Sequence, residues 1–240
     1  MSNLIWILFI VILGPVFGTI IGILIKPSER FFCLSFSFTA GVMLAVAFFQ
    51  LIPESMKELS IPIVIISFLV GFSIMFIVDQ IVPHFHGVSN TPEESFERTS
   101  ATITAGIAMH NLPEGFAIGA SFSAMPELGL IVASAIALHD VPETIVPVST
   151  SYSILGNRKK ASFNGLAVTI PTLIGLFIGV LMLNWVTTNL IAIAMVITAG
   201  IMVYISGDEL LPAAQDFGYK HLANFSLAGG ISFVLLLGMI

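Results

Sequence analysis

Eight stretches of about 20 mostly apolar residues, separated by short polar breaks, constrain this chain more than any other feature, because that is the length an α-helix needs to cross a bilayer. They lie at 4–25, 31–52, 61–82, 101–122, 128–150, 163–184, 189–207 and 221–240. Inside lipid a backbone must satisfy its own hydrogen bonds, and continuous runs of this length do so as helices. Only 9% of the residues are charged, against about 25% in a soluble domain, and the mean hydropathy is +1.05. The expected fold is therefore an all-α polytopic membrane protein, one transmembrane domain over residues 1–240, with the lipid bilayer as its solvent. The first run is expected to be retained, since Met1–Asn3 carry no basic side chain and the run is too long for a signal peptide. Eight Lys and Arg scattered among 14 acids form no basic face, so nucleic acid is not an expected partner. A single Cys, Cys33, excludes an internal disulfide and reads as an inert small hydrophobe.

Charge asymmetry sets the orientation. The breaks after spans 1, 3, 5 and 7 hold Lys26, Arg30, Arg98, Arg158, Lys159, Lys160 and Lys220, while the other side holds only Lys57. By the positive-inside rule both termini lie outside, which requires an even number of spans. The one long polar connection, 83–100, is rich in Pro, Ser, Asn and Glu and reads as a flexible cytoplasmic loop. The protein is expected in the plasma (inner) membrane.

An internal repeat adds architecture. Thr39-Ala40-Gly41-Val42-Met43 in span 2 is echoed by Thr198-Ala199-Gly200-Ile201-Met202 in span 7, 159 residues on. The same offset lays Gln50-Leu51-Ile52-Pro53 over Glu209-Leu210-Leu211-Pro212, and spans 1 and 3 over spans 6 and 8. An odd number of helices between the copies inverts the second relative to the first, as in many secondary transporters whose substrate sites lie near the midplane.

Spans 4 and 5 carry the chemistry. His110-Asn111-Leu112-Pro113-Glu114 is followed in the next span by His139-Asp140-Val141-Pro142-Glu143, both near the centres of apolar runs. Ionisable groups there are costly and point to function. His and Glu at i and i+4 share a helix face, so each span offers an imidazole and a carboxylate to one point, while Asn111 and Asp140 point toward an adjoining one. Each Pro removes an N–H, which frees the carbonyls of Met109 and Leu138. Two imidazoles and two carboxylates suit Zn²⁺ or another borderline ion and neutralise its charge. A polar staple pinning two helices would account for one lone His, but the pattern His-[Asn/Asp]-x-Pro-Glu occurs twice in consecutive spans, which favours a metal site. No His-Glu-x-x-His zinc-protease pattern and no Walker-type phosphate loop occurs. No catalytic residues or resident cofactor are expected, and an intramembrane metal-dependent hydrolase is the alternative reading.

These residues resemble the ZIP family (Zrt/Irt-like proteins) of divalent metal transporters, particularly its short prokaryotic branch. The stretch Thr104-Ala105-Gly106-Ile107-Ala108-Met109-His110-Asn111-Leu112-Pro113-Glu114-Gly115 is the most specific part, and Gly41–Leu44, Pro53-Glu54 and Glu209–Pro212 are also similar to family sequence. The resemblance implies a 3+2+3 arrangement, with the outer triplets (spans 1–3 and 6–8) an inverted repeat around spans 4 and 5, and a homodimer. It implies a first metal position formed by His110, Glu114, His139 and Glu143, and a second formed by Asn111, Asp140 and Glu143. Many relatives add a Glu before the Pro of span 6, where this chain has Ile170 before Pro171.

Outlying polar residues keep two readings each. Asp208 and Glu209, at the cytoplasmic end of span 7, are either part of an exit route or a solvated pair. Gln50 and Glu54, at the outer end of span 2, either attract cations at the entrance or cap the helix. Asp79 either pairs with another helix or faces the cytoplasmic vestibule, His84 and His86 read as ordinary loop histidines, and His221 as interfacial. The expected activity is import of a divalent ion, Zn²⁺ first, with Fe²⁺, Mn²⁺, Cd²⁺ and Co²⁺ accepted by the same ligand types.

Overall fold

A computed structural model of the chain describes residues 2–25, 28–81, 111–182 and 187–237. Regular structure among them is helical, with no strand. We number the helices α1 (Ser2–Leu24), α2 (Glu29–Val46, running through a π-helical turn, Ala47–Leu51, into Ile52–Ser55) and α3 (Ile61–Ile81). Next come α4 (111–124), α5 (Pro126–Leu155) and α6 (Arg158–Ala167 and, past a break at Val168, Thr169–Met182). The last two are α7 (Thr188–Ile205, a π-helical turn at Ser206–Leu210, then Leu211–Asp216) and α8 (Lys220–Leu237). Seven of these, all but α4, are long and apolar enough to cross a membrane. The first ten residues of the expected fourth span, including His110, lie outside the described residues, as do the 83–100 loop, His84 and His86.

Local chemistry sets the ends. Ser28 caps α2 by accepting from the Phe31 N–H, Pro126 opens α5 where no N–H is needed, and Asn157 caps α6 through the N–H groups of Lys159 and Lys160. Gly156, at φ 58, ends α5 in the left-handed region that a side chain disfavours. The helices then differ from the hydropathy reading in one respect. α2 and α7 each continue beyond the apolar run, because a π-helical turn absorbs the strain of Pro53 and Pro212, two residues past each turn. Consequently Asp208 and Glu209 sit inside α7 rather than at its end, and Gln50 is buried inside α2. The two π turns are themselves 159 residues apart.

Glycine decides which helices pair. A Cβ on Gly41 would stand 2.2 Å from the Leu227 carbonyl oxygen, and one on Gly200 2.2 Å from that of Phe68, so no larger residue fits either crossing. Both members of these two contacts are related by the 159-residue offset. The reciprocal contacts, Gly230 on Phe38 and Gly71 on Ile197, obey it too. Thus α2 runs parallel to α8 and α3 parallel to α7. In the same way Gly14 and Gly18 lay α1 on Ala137 and Val141 of α5, and Gly115 and Gly119 lay α4 on Thr172 and Leu176 of α6.

These pairings assemble two groups, α1 with α4, α5 and α6, and α2 with α3, α7 and α8, which meet chiefly where α2 crosses α5. Met43, Val46 and Ala47 of α2 belong there to one buried cluster with Val132 and Ile136 of α5 and Met202 of α7. Large side chains such as Trp6, Phe9, Ile66, Leu69, Phe177 and Leu181 point outward, as lipid contact requires.

Adjacent glycines offer a test. Gly229 has open space, whereas a Cβ on Gly230 would meet Phe38 at 2.3 Å. Gly230→Val is expected to cost about 1–3 kcal/mol and lower the melting temperature in detergent. Gly229→Ala should melt at or above the parent, and equal behaviour of the two would contradict this packing.

Candidate metal site

The interior of the α1/α4/α5/α6 group is not apolar. Glu114 of α4 and His139 of α5 are fully buried, and Asp140 and Glu143 nearly so. His139 Nε2 lies 3.0 Å from Glu114 Oε1, and Asp140 Oδ1 is 3.6 Å from the same nitrogen. One ligand atom from each of Glu114, His139, Asp140 and Glu143 falls within 4.8 Å of the others. Ligand atoms on one zinc ion, at bonds of about 2.0–2.2 Å, are at most about 4.4 Å apart, so a small inward movement of side chains would close the shell.

The helices explain this convergence. His139 and Glu143 share a face of α5 one turn apart, and Pro142 between them leaves the Leu138 carbonyl without its usual N–H. Glycines press neighbouring backbones against the ligand residues from behind. Gly14 brings α1 to the Ala137 carbonyl and the Asp140 Cβ, and Gly115, next to Glu114, brings α4 to the Thr172 carbonyl of α6. The four side chains thus sit buried between closely packed backbones.

Such a cluster is expensive without a cation. Three carboxylates and one imidazole within a bilayer-spanning bundle lose their hydration and repel one another. Glu114 Oε2 and His139 Nδ1 have no hydrogen-bond partner among the described residues. Buried polar atoms in native structures are nearly always satisfied, and a bound ion is one way to satisfy them. The set, one nitrogen and several carboxylate oxygens, matches the preferences of zinc and its neighbours in the metal series.

Several expected residues land elsewhere. Asp140 lies in one cluster with Glu114, His139 and Glu143. Asn111 is buried and donates from Nδ2 to the Val168 carbonyl, 2.7 Å away at the break in α6, while its Oδ1 has no partner among the described residues. Ile170, where many relatives place a Glu, is 54% exposed. Gln50 is buried, its Oε1 without a partner among the described residues, and Glu54 pairs with Lys57. A cavity of about 160 Å³ is lined by Glu54, Glu58, Ser123, Thr188 and Met195. Asp208 is exposed and Glu209 half-buried. Asp79 resolves to the paired reading, because Tyr204 of α7 donates to its Oδ2 at 3.1 Å. Tyr204 itself escaped notice, since a tyrosine within an apolar run carries no charge to mark it.

Comparison with known proteins agrees with this picture. The ZIP Zinc transporter family model matches residues 1–102 and 89–238. Zinc transporter ZupT of Corynebacterium aurimucosum is 32% identical over 227 residues, 86% of this chain and 84% of the relative. Zinc transporter ZupT of Chlorobium luteolum is 34% identical over 232 residues, 87% of this chain and 86% of the relative. The ZupT of Salmonella arizonae is 30% identical over 225 residues, 90% and 88% respectively. Matched along nearly its whole length, with a buried His and carboxylate cluster inside a bundle of membrane-crossing helices, the chain belongs to the ZIP zinc transporter family.

Proposed function

We propose that this protein carries divalent metal cations, zinc foremost, across the membrane into the cytoplasm, and that the ion passes through the cluster of Glu114, His139, Asp140 and Glu143, completed by His110 and Asn111. The observation that carries this reading is the buried convergence of three carboxylates and an imidazole within 4.8 Å in a protein built to span a bilayer. Each carboxylate offsets part of an ion's lost hydration, and the imidazole biases the choice toward transition metals over Mg²⁺ and Ca²⁺. The relatives are zinc transporters by name, which supports the choice of cargo.

Alternating access would work at the seam between the two helix groups. The four clustered ligands belong to α4 and α5 in one group, while Gln50, Glu54, Asp208 and Glu209 belong to α2 and α7 in the other. Movement of one group against the other would open the cluster first to the outer cavity, where Glu54 and Glu58 attract the ion, and then toward Asp208 and Glu209. Four parallel pairs, α1 with α5, α2 with α8, α3 with α7 and α4 with α6, fit a chain that crosses eight times, with α4 as the remaining crossing. Offset-related contacts between the halves favour the inverted 3+2+3 repeat, and the distribution of basic residues supports termini on the outer side of what we take to be the plasma membrane.

Zinc uptake into proteoliposomes tests the site directly. His139→Ala and Glu143→Ala should each lower uptake at limiting zinc by at least about tenfold, the least expected for a lost ligand. Glu29→Ala, at the exposed start of α2, should leave it unchanged. Parent-like flux in the two site variants would refute the assignment, and metal-dependent turnover of a peptide or lipid without flux would favour the hydrolase instead.

Selectivity follows from the same ligands. Cd²⁺ and Co²⁺ should compete with labelled zinc, while about a hundredfold excess of Mg²⁺ should not, because Mg²⁺ prefers an octahedral shell of oxygens and water. Inhibition by Mg²⁺ equal to that by Cd²⁺ would contradict a site that includes imidazole.

A further inference from the structure

Outside the metal cluster, the described residues contain a second buried polar group, on α3 and α7. Asp79 is nearly buried, close to the end of α3, and accepts the hydroxyl hydrogen of Tyr204. Tyr204 is itself buried, its ring set edge-on to Phe72 at 5.2 Å and to Phe76 at 6.3 Å. One phenol on α7 is therefore tied to a carboxylate on α3, at the end the basic residues assign to the cytoplasm.

Its location gives it a task. Tyr204 precedes the π-helical turn Ser206–Leu210 by two residues, and Asp208 and Glu209 lie within that turn. A π turn has wider, poorer backbone hydrogen bonding than the α-helix around it, so side chains on it are less firmly aimed. The corresponding turn of α2, Ala47–Leu51, has no such anchor, because the residue 159 positions before Tyr204 is Ala45. The repeat is thus broken in favour of the cytoplasmic side.

We propose that Tyr204 is a positioning residue for release: held by Asp79 and packed between Phe72 and Phe76, it fixes the α7 π turn against α3 and aims Asp208, and with it Glu209, at the departing cation. The inference rests on the reading of Asp208 and Glu209 as the exit side. Tyr204 does not bind the ion. Its hydrogen goes to Asp79, so the chain entering the π turn that carries Asp208 and Glu209 is tied to α3.

The test is initial-rate zinc uptake by the full-length chain in proteoliposomes, with folded protein quantified by monodisperse gel filtration. Tyr204→Phe should lower the maximal rate about tenfold, the size expected for a lost hydrogen bond to a carboxylate, with KM for external zinc unchanged because the central cluster is intact. Asp79→Asn, whose amide oxygen still accepts the phenol hydrogen, should stay within about twofold of the parent, whereas Asp79→Leu should match Tyr204→Phe. Adding Tyr204→Phe to Asp79→Leu should cost nothing further. A parent-like rate in Tyr204→Phe, a raised KM at unchanged maximal rate, or equal loss in Asp79→Asn and Asp79→Leu would each overturn the inference. If Tyr204→Phe does not fold, the Asp79 pair decides. A parent that moves no zinc would sink the transport reading itself, whereas a working parent with a working Tyr204→Phe sinks this inference alone.

Discussion

Three carboxylates cannot share the interior of a bilayer-spanning bundle unless something positive shares it with them. At about 4 Å and an effective dielectric near 20, two like charges repel by roughly 4 kcal/mol, before the cost of removing each from water. Glu114, Asp140 and Glu143 surround His139 under these conditions. A divalent cation relieves both terms at once, and an imidazole among the ligands sets which cations do so best. The rest of the structure can be read as the means of keeping this cluster dry, closely spaced and able to change its access.

Glycine provides the closeness. Hydrophobic effect does not drive helix against helix in lipid, so association depends on close van der Waals approach. Gly14 and Gly115 put the backbones of α1 and α6 directly behind Asp140 and Glu114. In the other group Gly41, Gly71, Gly200 and Gly230 join α2 to α8 and α3 to α7 by the same device. The two groups are therefore each knit by backbone contact, while the seam between them is built from side chains such as Met43, Val46, Ile136 and Met202. Side-chain seams can slide at less cost than glycine crossings can part, and the bundle has its stiffness and its play in the places transport would need them.

Much of this was legible in the residues. Apolar run length marked the helices, and the paired His and Glu motifs marked Glu114, His139 and Glu143, because charge within an apolar run is rare enough to be informative. The repeat Thr39–Met43 and Thr198–Met202 already contained Gly41 and Gly200, although only the structure shows that each meets the carbonyl of a partner helix. Other features were illegible for physical reasons. Hydropathy separates lipid from water but does not choose among helix partners, so the grouping of α4 with α6 and α1 with α5 could not be read from it. Asp208 and Glu209 ended the seventh apolar run, yet the helix continues to Asp216, since a π turn lets it pass Pro212. A helical wheel directed Asp140 away from His139, whereas its flexible carboxylate returns to within 3.6 Å of the imidazole. Tyr204 looked like one more apolar ring until Asp79 was found on its hydroxyl.

The central claim concerns what fills the cluster, and zinc K-edge X-ray absorption of the zinc-loaded, detergent-purified protein addresses it most directly. The account predicts a first shell of nitrogen and oxygen at about 2.0–2.2 Å with imidazole scattering beyond it, and a loss of part of that imidazole signature in His139→Ala. A sulfur shell at about 2.3 Å, which would place the ion on Cys33, or the spectrum of a fully hydrated ion, would contradict it.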